Sequence, residues 1–242
     1  MTERLYSTDA YLDRCDARVV DVTPAGVVLD RTVAYARGGG QPGDTGVLTT
    51  DAGELVIVDT FVDRESGELI HALAEGSAPP AIGAPVRVAI DADRRRTIMR
   101  THTALHALSG IVYTSFGAKV TGGNMADDGT ARMDFELDAM SQEFGREVEE
   151  RLNAALAEAH AVNVLFLPRA EALADPDLIR TKANLIPDHV DPIRVIDIEG
   201  IDKQADGGTH VRSTLEVGHV EVTKTESKGK ANKRMRIRLA SS

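Results

Sequence analysis

Two short segments of this chain carry side chains that can bind a metal ion. His102 and His106 are four residues apart in a stretch whose apolar spacing predicts a helix, so both imidazoles lie on one helix face about one turn apart. Two imidazoles in this arrangement can bind one metal ion. Because helical histidines are more often ordinary core or surface residues, the pair alone does not establish a metal site.

The second segment is Asp206-Gly207-Gly208-Thr209-His210. Asp206 and His210 are potential ligands, and the two glycines between them permit a tight curve that turns both side chains toward one point. The alternative interpretation is a glycine turn before a strand, with a hydrogen-bonded histidine. Together the two segments offer three imidazoles and one carboxylate, a set that suits zinc. Four protein ligands close a tetrahedral site unless Asp206 binds weakly or not at all.

The elements that must position these residues change in character near residue 92. From Leu5 to about Asp91, alternating and β-branched runs are separated by clusters of Gly, Pro and Asp, which predicts the short strands of a small β-barrel or sandwich. A glycine-rich segment, Arg37–Gly46, lies within this region. It is either a flexible loop between strands or a loop that approaches a ligand closely.

From Asp93 onward the pattern predicts both helices and strands. Asp93 is a suitable N-cap for a helix that extends to about Thr114 and carries the histidine pair. Ser141 begins a second helix with an apolar residue at every fourth position: Phe144, Val148, Leu152 and Leu156. The strand runs that follow indicate a mainly antiparallel sheet. We therefore expect an α+β protein with an N-terminal β-barrel domain at 1–92 and a metal-dependent domain at 93–242.

The charge distribution bears on the partners of the protein. A net charge of −10 opposes a polyanionic partner such as RNA. Between Val222 and Arg238, however, there is one acid, Glu226, and there are seven basic residues: Lys224, Lys228, Lys230, Lys233, Arg234, Arg236 and Arg238. Charge alone favours a solvated face here, and a nucleic-acid contact is the alternative.

Composition also indicates the compartment. The single cysteine, Cys15, excludes an intrachain disulfide and fits a reducing cytosol. The first residues carry charges and lack the apolar core of a signal peptide. No apolar run approaches the roughly 20 residues that cross a bilayer. We therefore expect a cytoplasmic protein that does not associate with membranes.

Five segments of the chain resemble motifs of one known family, and they occur along the chain in the order that the family has them. Thr101–Leu108 and Gln204–Gly218 resemble the two metal motifs of the alanyl-tRNA synthetase editing domain and of the free-standing AlaX deacylases. Tyr35–Gly46 resembles the glycine-rich motif of the N-terminal barrel in the medium-length AlaX type. Gly122–Phe135 resembles the strand region after the histidine helix, and Glu226–Leu239 resembles the basic C-terminal segment. The resemblance covers nearly the whole chain.

The resemblance implies an ATP-independent hydrolase that protects translation fidelity. It would deacylate mischarged Ser-tRNA(Ala), and also Gly-tRNA(Ala), in trans, without charging tRNA. The implied metal is Zn²⁺, with His102, His106, Asp206 and His210 as ligands. The family often has Cys where this chain has Asp206, and a carboxylate is a harder ligand than a thiolate. Asp206 is therefore expected to be a ligand first and, as the alternative, a general base.

The resemblance also implies contacts with the substrate and with tRNA. The expected substrate-binding residues are Thr121, Gly207, Gly208 and Thr209. The expected tRNA-binding residues are Lys224, Lys228, Lys230, Lys233 and Arg234. Two other functions stay open at this point. One is a metal-dependent hydrolase of another small ester or amide, and the other is a non-catalytic RNA-binding relative.

Overall fold

The computed structural model describes residues 1–175, 177–178, 186–188 and 190–240. The chain forms two compact units, Met1–Arg96 and Thr97–Ser242. The first unit contains eight strands: β1 (Glu3–Arg4), β2 (Arg14–Thr23), β3 (Gly26–Leu29), β4 (Arg31–Thr32), β5 (Gly46–Thr50), β6 (Gly53–Val62), β7 (Leu69–Leu73) and β8 (Pro85–Ile90). A short 3-10 helix follows β1 at Leu5–Ser7.

Six strands of the first unit close into a barrel in the order β2-β3-β7-β6-β5-β8. Every neighbouring pair in the barrel is antiparallel. Alternate apolar side chains fill the interior, among them Val19, Val27, Leu29, Leu48, Ile57 and Val88. The prediction of an N-terminal barrel is therefore confirmed, and the sandwich alternative is excluded by the closed strand order.

The glycine-rich segment forms a hydrogen-bonded turn in this barrel unit. Gly38 and Gln41 exchange backbone hydrogen bonds at 3.1 and 2.9 Å. Gly39 and Gly40 between them have positive φ angles of 57° and 87°, which favour glycine. A Cβ at Gly43 would lie 2.1 Å from a backbone oxygen of the neighbouring strand β6. The segment is thus a paired turn and not an unpaired flexible connection.

A buried ion pair holds the end of this turn. The Asp44 carboxylate accepts the Tyr35 backbone N–H at 2.6 Å and both Nε and Nη2 of Arg95. Arg95 also donates to the backbone carbonyls of Val33 and Ala10 at 2.8 and 3.0 Å. The side chains of Asp44 and Arg95 are almost completely buried. Because each charge is paired and hydrogen-bonded, the pair is consistent with a buried position.

Three helices and seven further strands complete the described chain. The helices are α1 (Ala92–Phe116), α2 (Gln142–Ala157) and α3 (Arg169–Ala174). The strands are β9 (Val120–Met125), β10 (Thr130–Phe135), β11 (Val162–Leu167), β12 (Ile193–Ile198), β13 (Asp202–Ala205), β14 (Val220–Ser227) and β15 (Lys233–Leu239). A 3-10 helix lies at Thr214–Val217. In the part of the chain that the structure describes, no helix is both long and apolar enough to span a membrane.

The second unit contains two antiparallel sheets, in the orders β14-β15-β10-β9 and β11-β12-β13. The α+β class with a mainly antiparallel sheet is therefore confirmed. Helix α2 packs on β14, where Gly145 brings the two elements together: a Cβ there would lie 2.9 Å from the Thr225 methyl group. Asn153 of α2 also donates to and accepts from the backbone of Val220.

The helix termini show where local patterns succeed and fail. Ser141 caps α2 as predicted, because its hydroxyl accepts the Phe144 N–H at 3.0 Å. The prediction that Asp93 caps α1 is wrong: Asp93 lies inside the helix, and Asp91 accepts the Arg94 N–H at 3.0 Å. Two aspartates two residues apart offer the same capping chemistry, so the sequence pattern does not distinguish them.

Candidate metal centre

Helix α1 carries the first two candidate ligands. His102 and His106 lie on adjacent turns, with ring centroids 5.1 Å apart. The neighbouring helix residues Ala104 and Leu108 are completely buried. The helix is therefore covered on several sides, and both histidines are buried rather than solvated. This placement suits a buried site and not a histidine pair on a helix surface.

The other two candidates follow strand β13. The sheet pairing continues to the end of that strand, where the Asp206 N–H donates to the Arg194 carbonyl at 3.2 Å. The chain then turns through the glycines, and the Gly208 N–H donates to Asp206 Oδ2 at 2.6 Å. This turn returns His210 toward the carboxylate, with Nε2 3.2 Å from Asp206 Oδ2. The glycine turn therefore brings both side chains to one point, as the pattern predicts.

The two segments meet in one cluster. His102, His106, Asp206 and His210 each offer one donor atom, and all four atoms lie within 4.8 Å of one another. Asp206 Oδ1 is 3.7 Å from His102 Nε2 and 3.9 Å from His106 Nε2. Bonds of about 2.0–2.2 Å to a tetrahedral zinc ion place ligand atoms about 3.3–3.6 Å apart. The separations in the cluster are slightly wider than these distances, and its donor types suit a metal ion, so the four residues could hold one.

Burial and charge set the protonation of the cluster. Burial lowers the pKa of His102 well below its ordinary value, and the charge of Asp206 opposes this only in part. Burial lowers the pKa of His210 to about 4, despite its hydrogen bond with Asp206. Burial raises the pKa of Asp206, but the attraction of His102 and the hydrogen bond with His210 outweigh it and hold this pKa well below its ordinary value. The result is an ionised Asp206 carboxylate beside the neutral imidazoles of His102 and His210, the forms that bind metals.

His106 differs from the other two histidines. Burial lowers its pKa, but the hydrogen bond with Asp202 and the charges of Asp206 and Asp202 outweigh burial, so its pKa is raised. Its Nδ1 lies 3.0 Å from Asp202 Oδ2. Asp202 is not among the site residues predicted from the sequence. Its position four residues before Asp206, at the start of the strand that leads to Asp206, is the sequence feature that indicates it.

Arg194 is a second residue that the sequence analysis missed. Its side chain is 9% exposed, and its Nη1 donates to the Asp206 carbonyl at 2.9 Å and lies 3.9 Å from Asp206 Oδ2. This positive charge favours the ionised form of the Asp206 carboxylate. The available signal is the lone arginine in the apolar run of β12, Ile193–Ile198, where a charge requires a partner.

The predicted substrate-binding residues occupy different surroundings. Gly207 is exposed, and a Cβ there would have no heavy atom within 4 Å. The Gly208 amide is engaged by Asp206, and Thr209 is completely buried. The Thr121 hydroxyl donates to Asn232 Oδ1 at 3.1 Å, so its described partner lies outside the four-residue cluster. Of these positions, Gly207 offers open space beside the candidate ligands.

The predicted tRNA-binding residues divide into two groups. Lys224 pairs with Glu226 at 2.8 Å, and the Arg234 guanidinium binds both oxygens of Asp134 at 2.6 and 2.8 Å. Lys233 is buried, and its Nζ donates to the Gly229 carbonyl at 2.8 Å. Lys228 and Lys230, in the turn between β14 and β15, are exposed. Internal partners therefore hold three of the five predicted residues.

Comparison with known proteins places the chain in a family. Residues 193–236 match the family described as threonyl and alanyl tRNA synthetase second additional domain, and residues 10–94 match class II (A) tRNA synthetases. The alanyl-tRNA editing protein AlaX-M of Saccharolobus solfataricus is 36% identical over 97% of this chain and 98% of its own length. The protein of the same name from Methanosarcina acetivorans is 37% identical over 99% of each chain.

A longer relative matches the same region. The alanine–tRNA ligase of Pyrococcus abyssi is 36% identical over 93% of this chain, which corresponds to 24% of the ligase. The match with the AlaX-M proteins extends along both chains, whereas the match with the ligase covers one part of it. This chain belongs to the AlaX-M family of alanyl-tRNA editing proteins.

Proposed function

We propose that this protein is a zinc-dependent deacylase that hydrolyses the ester bond of mischarged tRNA(Ala) and releases serine or glycine. The observation that supports this function best is the cluster of His102, His106, Asp206 and His210, in which the three histidines are buried. It occurs in a chain that matches relatives named as alanyl-tRNA editing proteins over nearly their full length. Hydrolysis of an ester consumes one water and requires no ATP.

The donor set favours zinc among the common metals. Three imidazole nitrogens and one carboxylate oxygen suit zinc, whereas magnesium and calcium prefer sites made of oxygen. A bound zinc ion supplies Lewis acidity, which polarises an ester carbonyl or lowers the pKa of a water. The four side chains themselves bring three buried imidazoles and one partly exposed carboxylate to the cation. The hydrogen bond from Gly208 fixes the Asp206 carboxylate, and Asp206 Oδ1 faces His102 and His106.

Asp206 is proposed as a ligand rather than as a general base. Its Oδ2 accepts the Gly208 amide, so a single oxygen, Oδ1, is directed at the two helix histidines. A carboxylate bound through one oxygen leaves space around the site for the ester. A general base requires a path to a water on the substrate side, whereas Asp206 Oδ1 faces His102 and His106.

The substrate is proposed to approach the centre on the side of Gly207. Gly207 has no side chain, and the space that a Cβ would occupy there is open. The aminoacyl ester therefore has room to approach the backbone at this residue. Gly208 and Thr209 are proposed to line the same side of the substrate site. Thr121 is proposed to pair with the serine hydroxyl, because rejection of the smaller alanine requires a hydrogen bond and not a size limit. Thr121→Val should therefore slow the release of serine more than that of glycine.

The tRNA contact is proposed to centre on the turn between β14 and β15. Lys228 and Lys230 are exposed there and are available to phosphate oxygens. Lys224, Lys233 and Arg234 are proposed to support this turn through their internal partners rather than to meet the phosphates first. On this proposal the basic segment has both a structural and an electrostatic role.

The test compares deacylation of seryl-tRNA(Ala), glycyl-tRNA(Ala) and alanyl-tRNA(Ala) by the wild type and by His102→Ala/His106→Ala, with zinc content measured on the same samples. We expect the wild type to release serine and glycine and to spare alanine. The double variant should lose both its zinc and its activity. A small serine ester serves as the control substrate. Hydrolysis of that ester without deacylation of tRNA would indicate another esterase, and tRNA binding without turnover would indicate a non-catalytic relative.

A further inference from the structure

His106 contacts a carboxylate through each of its ring nitrogens. Its Nε2 lies 3.9 Å from Asp206 Oδ1 in the cluster, and its Nδ1 lies 3.0 Å from Asp202 Oδ2. The Asp202 side chain is completely buried and also accepts Nε2–H of Gln204 at 2.8 Å. A carboxylate oxygen accepts hydrogen bonds, so His106 Nδ1 is the donor in this contact.

His210 lies between the Asp206 carboxylate and a hydroxyl group. Its Nε2 lies 3.2 Å from Asp206 Oδ2, and its Nδ1 lies 3.1 Å from Thr103 Oγ1. Thr103 is completely buried on helix α1, and its Oγ1 also accepts the Val211 N–H at 3.3 Å. The two lone pairs of Oγ1 are sufficient to accept both N–H groups.

The Asp202 contact places the proton of neutral His106 on Nδ1, and Thr103 can accept Nδ1–H of His210 when a metal ion takes the Nε2 that otherwise contacts Asp206. A neutral imidazole carries one proton, and the nitrogen that holds it cannot bind a metal. If the proton lies on Nδ1, then Nε2 presents its lone pair to the cluster. Without a partner for Nδ1–H, either nitrogen can carry the proton and the ring can rotate away from the ligand geometry.

We propose that Asp202 and Thr103 are positioning residues of the metal centre, which hold Nδ1–H of His106 and of His210 so that both Nε2 atoms face the metal. This inference rests on the metal site of the proposed function. Neither residue binds the metal or the substrate. Partners of this kind typically change metal affinity by about 10–100-fold when removed.

A purely structural role makes a different prediction. Buried polar residues that only stabilise packing would lower the stability of the fold and leave the zinc affinity of the folded protein unchanged. Thr101 provides the matched control, because it is also a buried threonine of α1 and its hydroxyl donates to the Thr97 carbonyl at 2.8 Å. Its described hydrogen bond is to the helix backbone and not to a histidine.

The experiment measures the zinc dissociation constant of the full chain by competition with a chelator, after removal of metal. The variants are Thr103→Val, Thr103→Ser, Asp202→Asn and the control Thr101→Val. Thr103→Val and Asp202→Asn should weaken zinc binding by about 10-fold or more, whereas Thr103→Ser and Thr101→Val should stay near the wild type. Equal zinc affinities for Thr103→Val and Thr101→Val would overturn the role of Thr103.

A second readout observes the tautomers directly. In zinc-loaded wild type labelled with ¹⁵N-histidine, we expect the proton of His106 and of His210 on Nδ1. A proton on Nε2 of either ring would overturn the proposal for that ring. Deacylation of seryl-tRNA(Ala) on the same samples separates the two proposals. Wild type that binds zinc but releases no serine contradicts the proposed function, while the affinities still decide the role of Thr103 and Asp202.

Discussion

Gly110 of helix α1 lies against the backbone of Ile201, so closely that a Cβ at Gly110 would be 2.3 Å from the Ile201 carbonyl oxygen. The same Cβ would be 3.0 Å from Cβ of Asp202. His106 is four residues before Gly110 on the same helix, and Asp202 follows Ile201 in the chain. The absence of a side chain at Gly110 therefore permits the approach that brings the Asp202 carboxylate to His106.

This relationship predicts the effect of Gly110→Ala. The added methyl group would force α1 and the chain before β13 apart, because a backbone oxygen cannot move as a flexible side chain does. We expect a loss of about 1–3 kcal/mol of unfolding free energy, as for other overpacked sites, together with weaker zinc binding. Urea unfolding and chelator competition measure the two effects.

Gly145→Ala is the control for that change, because it adds a methyl group to α2, where the nearest atom is the Thr225 methyl group at 2.9 Å. Gly145 lies on α2 and the candidate ligands do not. We expect Gly145→Ala to keep the zinc affinity of the wild type whatever its effect on stability. If Gly110→Ala retains that affinity as well, the close approach does not support the metal centre.

Asp206 is expected to behave as a ligand in a series of substitutions. Asp206→Asn removes the charge and keeps the shape, and we expect it to weaken zinc binding by about 10-fold or more and to slow deacylation in parallel. Asp206→Cys supplies a thiolate, a softer ligand for zinc, and should retain zinc. Zinc content and deacylation are measured together. Full zinc occupancy with no activity in Asp206→Asn would instead indicate a general base.

The exposed lysines of the β14–β15 turn should contribute to RNA affinity through phosphate contacts. Removal of two phosphate contacts in Lys228→Ala/Lys230→Ala should reduce the slope of log K against log salt concentration by about 1.5. The control, Arg64→Ala/Arg146→Ala, removes two exposed positive charges from a barrel turn and from α2. Filter binding of tRNA across a salt series gives the slopes, and equal slopes for both double variants would place the RNA contact elsewhere.

His71 in the barrel predicts a pH dependence of stability. It is completely buried, its Nε2 lies 2.8 Å from Thr32 Oγ1, and its Nδ1 lies 3.3 Å from the Val27 carbonyl. Burial lowers its pKa from 6.5 to about 4, although the contact with Val27 opposes this. The unfolded chain therefore binds a proton that the folded protein does not bind between these pH values. The contribution of His71 to the free energy of unfolding is fully present above pH 6.5 and is lost as the pH falls toward 4.

The size of this effect follows from the pKa difference, and amounts to a loss of about 3 kcal/mol at most between pH 6.5 and 4. Urea unfolding of the wild type and of His71→Asn at several pH values measures it. The wild type should lose stability more steeply than the variant over this interval, because other groups contribute equally to both. Parallel profiles would show that His71 is not responsible.

Local sequence patterns determined the elements and the chemical types of the site. Ser141 and the apolar spacing after it specify α2, although Phe144 proves to be half-buried against Phe116. His102 and His106 are four residues apart, and two glycines lie between Asp206 and His210. Both patterns act through short-range backbone geometry alone. Short strands separated by turn residues likewise predict the barrel, because strand and turn preferences act over a few residues.

Only the tertiary structure decided which side chains share an environment. The sequence shows seven basic residues in the C-terminal segment, but the alternation of β15 buries Lys233, and Asp134 on the neighbouring strand binds Arg234. Asp202 and Arg194 contact residues of the cluster because β12 and β13 pair beside it. Hydrogen bonds and charges act over a few ångströms in space, whereas a sequence pattern reports only distance along the chain.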